Sequence, residues 1–564
     1  MNKAVLYPRL ALQNIGRSKR FYLPYIFTCI GSVAMFYVLC FLQENSAAWT
    51  GNSGEILGSL LIFGIAVVGI FCTVVLFYTN SFLMKRRQKE LGLYNILGMG
   101  KGNISAVLFL ETLYVAFISL ILGLLLGFLL SKLALYLLFT LAGFKANTPV
   151  NFSFSAVFIS LCVFGGIFLL ILISNFVRLR LSKPVELLRG GNVGEKEPKS
   201  RWLLAILGAI TLGIGYYIAI STESPLKAIA LFFVAVLLVI AGTYLLFTAG
   251  SIAILKKLKG NKSYYYRTKN FIPVSGMIYR MKQNAVGLAN ICILSTMVLV
   301  MVSGTVSLYA GTNDALHTQY PSEISVIVGN PTGKAAELVK DAVDKAVADM
   351  GLTATDFVFE QPKDLLAEQG SNSSSDNSTW YYGFELDGTA QEKIDCHAAV
   401  SEAVSQLDAA SLEPDSGFDY AYSRGREENR QMFNLMTGGF LFLGLFLGLV
   451  FLMATVLIIY YKQLSEGYED KERFEIMQKV GLSKAEIKKS IHSQILVVFF
   501  LPLTMAVVHI AFAFKMITKL LLVFSLTNTL LFAICTVVTV GIFGLIYGLV
   551  YMLTAKTYYK IVSE

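Results

Sequence analysis

Long uninterrupted runs of apolar residues, separated by short polar and basic segments, fill most of the chain outside one stretch in its middle. Each run reaches the roughly 20 residues that an α-helix needs to cross about 30 Å of hydrocarbon. Ten spans are predicted, at 21–42, 56–79, 104–130, 153–174, 202–220, 226–250, 286–309, 433–461, 491–513 and 521–551. Between the seventh and eighth the pattern changes. Residues 311–430 alternate with period 2 at 323–328, 356–360, 380–386 and 418–422, which predicts strands, and with helical period at 334–350 and 389–407. A polar run, GSNSSSDNSTW, reads as a loop within this segment. The predicted fold is an α-helical polytopic membrane protein with ten transmembrane helices and one small extracellular α+β domain.

The chain also repeats itself. Comparing KRRQKELGLYNILGMGKGNI (85–104) with EDKERFEIMQKVGLSKAEIK (469–488) at a shift of 383 superposes Leu97-Gly98 on Val480-Gly481 and Lys101 on Lys484. The segments opening the two repeats, YPRLALQNIGRSKR (7–20) and VSGMIYRMKQNAVG (274–287), are both basic and amphipathic. Spans 1–4 and 7–10 therefore read as two related four-helix halves, with spans 5 and 6 inserted between them. In domain terms, 1–20 is a cytosolic amphipathic segment and 21–174 the first half. Residues 175–285 carry spans 5–6 with basic loops, 286–310 is span 7, 311–430 the α+β domain, and 431–564 spans 8–10 of the second half.

Both copies of the repeated segment are too polar for lipid yet keep apolar residues at helical spacing, Leu91, Tyr94 and Leu97 in one and Phe474, Met477 and Val480 in the other. Each is expected to form a short amphipathic helix lying across the membrane face. Anchoring to anionic lipid would explain the bases but not an apolar stripe ending in Gly98 or Gly481. Docking into a cytosolic partner explains both.

Charge then fixes the topology. The formal net charge of +10 would suit a nucleic-acid binder, but it conceals two populations. Residues 311–430 hold 22 acids and 8 bases, net −14, and the remainder is net +24. The 34 bases at 1–20, 81–103, 175–201, 251–285, 462–490 and 552–564 all fall on one side of a ten-span arrangement. By the positive-inside bias both termini are cytosolic and 311–430 is extracellular. No nucleic-acid partner is implied, whereas an acidic outer domain would raise the local concentration of cationic ligands. Trp380, Tyr381 and Tyr382 are a candidate ligand patch there, against the plainer reading that alternate rings fill the domain's own core. Six of the seven cysteines sit in apolar runs, leaving Cys396 alone in the domain, so no disulfide is expected inside it.

Catalytic chemistry is not written into the chain. No G-x-x-x-x-G-K-[ST] phosphate loop is present, and the nearest approach, GNPTGKA (329–335), lacks a spacer residue and places Ala335 where a hydroxyl is needed. No Cys/His set has metal-ligand spacing, so no catalytic residue, metal or cofactor is assigned; ATP and Mg would belong to a partner. Glu111 and His509 fall within spans, where ionisable groups are costly. A relay role for both competes with a headgroup or backbone-capping place for Glu111 and a neutral His509. Pro24 and Pro502 imply kinks, and the pairs Gly123/Gly127, Gly444/Gly448 and Gly544/Gly548 predict close helix contacts.

With these residues in place, the arrangement resembles the FtsX-like permeases of ABC transporters, and within them the bacitracin-resistance (BceB-type) branch. The likeness is carried by LALQNIGRSKR, RRQKELGLYNILGMGKGNI, Glu111 with Gly123 and Gly127, ERFEIMQKVGLSKAEI, and the outer domain between spans 7 and 8. It implies a non-catalytic permease in the bacterial plasma membrane, working with two copies of a cytosolic ATP-binding subunit and beside a sensor histidine kinase. The implied role is resistance to, and sensing of, peptide antibiotics that target lipid-linked cell-wall precursors. Lys89, Glu90, Leu97 and Gly98, with Glu472, Arg473, Val480 and Gly481, would lie on its ATPase-coupling helices. The outer domain is shorter than that branch usually carries, leaving room for another peptide or lipid. Alternatives are a lipid- or lipoprotein-extracting relative, and an ion-coupled secondary transporter working through Glu111.

Overall fold

A computed structural model describes residues 3–46, 52–143, 152–181, 201–266, 268–329, 333–360, 379–410, 418–479 and 484–563. Ten of its helices are long and apolar enough to cross a membrane, one at each predicted span. In the first half, α1 (Lys3–Arg17) leads into α2 (Lys19–Ser46), followed by α3 (Asn52–Ile96), α4 (Lys101–Leu141) and α5 (Phe154–Leu181). The inserted hairpin is α6 (Trp202–Ser221) and α7 (Pro225–Leu245), which runs through a π-helical turn, Leu246–Gly250, into α8 (Ser251–Gly260) and the single turn α9 (Lys262–Tyr265). The second half opens with α10 (Thr268–Ala310), whose first turns take the place of a separate lead-in helix. After the inserted domain come α14 (Arg426–Lys479), α15 (Lys484–Leu522) and α16 (Thr529–Ser563).

Several helices outrun their predicted spans. Of these α14 goes furthest: 54 residues, about 80 Å at 1.5 Å per residue, against roughly 30 Å of hydrocarbon. Its first turn carries Glu427 and Glu428, which suit the positive end of the helix dipole.

One apolar core joins spans 1–4 to spans 7–10, with Tyr37, Phe41, Phe164, Phe442 and Phe451 fully buried. The outer faces of the helices are apolar and exposed, as lipid requires, including Leu129 and Leu133 on α4 and Leu545 and Leu553 on α16. The predicted small-residue contacts divide. A Cβ on Gly123 would stand 2.6 Å from Val33 Cβ, and one on Gly127 2.8 Å from Tyr37 Cδ1, so α4 lies against α2 at a separation only glycine permits. Gly444 packs on Thr305 and Gly448 on Val302. Gly544 and Gly548 do not belong with them: a Cβ on either would meet nothing within 4 Å. Both lie on a face of α16 that is not packed closely, so among the described residues their spacing marks no helix contact.

His509 on α15 secures the inserted hairpin. Its Nδ1 lies 2.6 Å from the Tyr216 hydroxyl and its Nε2 3.1 Å from Thr243 Oγ1. Thr243 donates its own proton to Val239 O at 2.6 Å, so Nε2 donates to Thr243 and Nδ1 accepts from Tyr216. Both nitrogens are engaged in joining helices.

Between spans 7 and 8, α11 (Thr312–Gln319) leads to the α+β domain: β1 (Ile324–Gly329), α12 (Gly333–Asp349), β2 (Ala354–Glu360), β3 (Thr379–Leu386), α13 (Ala390–Ala410) and β4 (Tyr420–Gly425). Its antiparallel sheet has the order β2-β3-β1-β4. Alternation places Ile324, Val326 and Val328 with Tyr382, Phe384 and Leu386 in one core, covered by Val339, Val343, Val400 and Val404 of α12 and α13. Cys396 is buried in that core and unpaired. Thr379 and Trp380, the last two residues of the polar run after β2, belong to β3, and the rest of the run falls outside the described residues.

Candidate functional site

The first repeated segment departs from the expected shape. Instead of a separate helix lying across the membrane face, residues 85–96 are the uninterrupted end of α3, and α4 starts at Lys101. Gly98 makes the reversal at φ +94°, a conformation that costs glycine little. Met99 N–H donates to Tyr94 O (2.9 Å) and Gly98 N–H to Asn95 O (3.2 Å), the paired bonds of a Schellman cap. The second copy follows the same plan. The helix α14 continues to Lys479, and α15 starts at Lys484, the residue that the repeat lays over Lys101 at the start of α4.

The apolar stripe divides in two. Leu91 is buried with Met84, Ile104, Leu108 and Leu179, and Tyr94 packs against that cluster. Leu91 thus faces the interior, and Tyr94 is half-buried against it. The exposed apolar group at the turn is Leu97 at 71%, joined by Ile96 at 61% and Leu93 at 50%, neither of which the stripe predicted. Glu90 is half-exposed and accepts from Arg87 Nε at 3.2 Å. The side chains of Lys89, Glu472, Arg473, Phe474 and Met477 lie outside the described residues, as do Val480 and Gly481 altogether.

Behind this turn is a buried polar node that the sequence pattern missed. The Arg87 guanidinium makes a bidentate pair with Glu111, one arm at 3.0 Å, and both residues are 2% exposed. The same carboxylate accepts from Tyr22 OH at 2.9 Å and Asn14 Nδ2 at 2.8 Å, and Tyr94 OH donates to Asn14 Oδ1 at 3.0 Å. Burial alone would lower the Arg87 pKa, but attraction to Tyr22 and Glu111 outweighs it, so the guanidinium is raised above its ordinary value and stays charged. The node ties α1, α2 and α4 to the end of α3. Glu111 is buried, and among the described residues its carboxylate is taken up by Arg87, Tyr22 and Asn14.

The second half holds a counterpart with the charges exchanged. Asp470, which the same superposition lays over Arg87, pairs with Arg280 of α10 and accepts from Tyr558 OH at 2.5 Å. One turn away Asn284 Nδ2 donates to Glu466 Oε1 at 2.5 Å. Burial again opposes the Arg280 charge while Asp470 and Glu466 favour it, leaving its pKa raised. This node is less complete. Arg280 Nη1 and the side-chain amide atoms of Gln463 are buried with no hydrogen-bond partner among the described residues.

At the opposite end of α14 a third cluster fixes the inserted domain. Arg426, the first residue of the helix, is buried. It donates to Tyr320 O at 2.8 Å, Glu385 Oε1 at 2.7 Å, Glu323 Oε2 at 3.5 Å and Pro321 O. Lys393 adds a bond to Glu323 at 3.2 Å. β1 and β3 are thereby attached directly to the helix. The aromatic patch is not a surface: Tyr382 is fully buried with its hydroxyl 2.7 Å from Asp344, Tyr381 is buried and donates to Ser322, and Trp380 stacks on Tyr382. Alternation along β3 accounts for this, because Trp380, Tyr382 and Phe384 point to the helix-covered face.

Residues 59–184, which contain α4, the turn and the first node's ion pair, match the family model described as FtsX-like permease C-terminal. The chain carries an FtsX-like permease domain. Across 90% of its length it is 25% identical to the ABC transporter permease protein YxdM of Bacillus subtilis, covering 93% of that protein. It is 25% identical over the same share to the bacitracin export permease protein BceB of Bacillus subtilis, covering 92%. It is 23% identical to the BceB protein of Halalkalibacterium halodurans, again over 90% of this chain and 92% of that one. With ten apolar helices and this similarity to membrane permeases, the chain is a multi-pass plasma-membrane protein.

Proposed function

We propose that this permease confers resistance to cell-wall-targeting peptide antibiotics, and senses them, by converting ATP hydrolysis in a separate cytosolic subunit into movement of its inserted domain. The basic ends of the spans face the cytosol in this reading, and the acidic domain faces outward. Two copies of an ATP-binding subunit would engage the two repeated turns, and the Leu93, Ile96 and Leu97 surface supplies an apolar contact for one of them. Similarity to two bacitracin export permeases supports a peptide ligand.

The observation that carries the reading is the continuity of α14. One helix begins at the Arg426 clamp under the domain, crosses the bilayer, and passes the Asp470 node on its way to the second turn. A push at that end has no flexible joint in which to dissipate. Glu111, occupied by Arg87, Tyr22 and Asn14, offers less support for ion-coupled transport.

The test is co-purification with the cognate ATP-binding subunit. Ile96→Asp with Leu97→Asp should abolish association while the permease still inserts and folds. Arg426→Met should leave association and ATP hydrolysis in place yet remove antibiotic resistance. Resistance that persists in both variants would refute the coupling scheme.

A further inference from the structure

Where α4 and α5 diverge at the basic end of the first half, they leave a groove of about 370 Å³. Phe109, Leu172 and Phe176 make its apolar wall, Phe109 and Phe176 being partly open to the surroundings, and Ser105 and Thr112 lie along one side. Its floor is fixed by Asn175, whose amide exchanges two hydrogen bonds with Asn80 of α3 at 2.7 and 3.2 Å. Its lining comes from α4 and α5, both long and apolar enough to cross a membrane. A groove between two such helices favours an occupant that lives in a bilayer.

The rim is positively charged. Arg180 lies over the Phe176 ring at 4.3 Å, so its guanidinium sits directly above a wall residue. Lys101, beside the lining Gly102, reaches across the mouth to Arg180 O at 3.0 Å. The Lys101 contact is to the Arg180 backbone and bridges α4 and α5, while the Arg180 guanidinium stands over Phe176, so each cation sits at the groove's end by its own contact. Arg178 on the same turn is directed to Ser81 at 2.9 Å and stabilises the helix pair from the α3 side. Among the described residues, no acid lines the groove.

We propose that this groove is a binding site for an anionic phospholipid, with one acyl chain between α4 and α5 and the headgroup phosphate at Lys101 and Arg180. An apolar slot alone would accept any lipid; the paired cations at its mouth select the anionic ones. Lys101 is also the first residue of α4, just after Gly98 of the coupling turn. The lipid therefore grips the base of the helix on which that turn is mounted.

The test is native mass spectrometry of the full-length permease released from nanodiscs containing phosphatidylcholine and phosphatidylglycerol. Wild-type protein should retain one phosphatidylglycerol that Lys101→Ala/Arg180→Ala binds roughly twentyfold more weakly, about fivefold for each base. Ala106→Phe, which fills the groove and leaves both cations in place, should lose the same lipid. Inorganic phosphate at millimolar concentration should not displace it; displacement would overturn the acyl slot by showing a phosphate site alone. Equal retention of phosphatidylcholine, or unchanged retention in both variants with matching thermal unfolding, would overturn the proposal.

Discussion

Arg87 stands in the run KRRQK, and nothing in the run itself separates a base that faces lipid headgroups from one that is buried. Helical phase does separate them: Leu83, Arg87 and Leu91 recur every fourth residue, and all three are buried. Glu111 is visible in the sequence as a costly charge inside a span, but its partner comes from another helix, and no local period reports that. Breaking a buried ion pair on one side leaves an uncompensated charge, so Arg87→Met or Glu111→Leu should each destabilise the protein by about 3–5 kcal/mol. The double variant Arg87→Met/Glu111→Leu should lose much less than the two single losses added together. A double-mutant cycle on unfolding in detergent measures this, and additive losses would mean that the two groups do not act as a pair.

Among the elements, the spans were the most legible because bilayer thickness imposes one length on all of them. Their extensions were not, since a helix that leaves the membrane becomes polar without ceasing to be helical; α3 and α14 read as spans followed by separate segments for that reason. The strands of the domain were also legible, their period-2 alternation arising from a sheet covered on one face. Along β3 the same alternation argued against the aromatic patch. The start of α13 carries its own switch. Thr389 and Glu392 form a capping box, with Thr389 N–H donating to Glu392 Oε2 at 2.8 Å and Glu392 N–H to Thr389 Oγ1 at 3.4 Å. The Thr389 backbone bond holds the exposed carboxyl below its ordinary value. A depressed carboxylate pKa contributes stability that is present above the unfolded value and lost as pH falls through the folded one. The protection of amides in the first turn of α13, taken relative to their intrinsic exchange rate at each pH, should therefore fall as the pH drops below the usual carboxylate range. Glu392→Gln should remove that step.

For the whole molecule, the repeat predicted two halves, and α4 and α15 start at equivalent positions of the two copies, Lys101 and Lys484, in agreement with it. The exchange of charge between the nodes was illegible, because an Arg aligned with an Asp looks like a loss of similarity although each position carries a buried ion pair, Arg87 to α4 and Asp470 to α10. The domain's surplus of acids belongs to this scale as well. If cationic peptides are its ligands, their association rate with the full-length permease in nanodiscs should fall as ionic strength rises from 0.05 to 0.5 M, since roughly 10 Å of screening at 0.1 M shortens to a few ångströms. Stopped-flow binding with a labelled cationic peptide reads this directly, and a rate indifferent to salt would remove attraction from the mechanism.

The unbroken run of α14 also makes it an angular ruler. Each residue added to a helix turns everything beyond it by about 100° and advances it by about 1.5 Å. One alanine inserted between Arg426 and Asp470 would aim the Asp470 carboxylate away from Arg280 while leaving hydropathy, charge and span length almost untouched. Between its two anchors this helix should therefore tolerate substitution of its exposed residues far better than a change in its residue count.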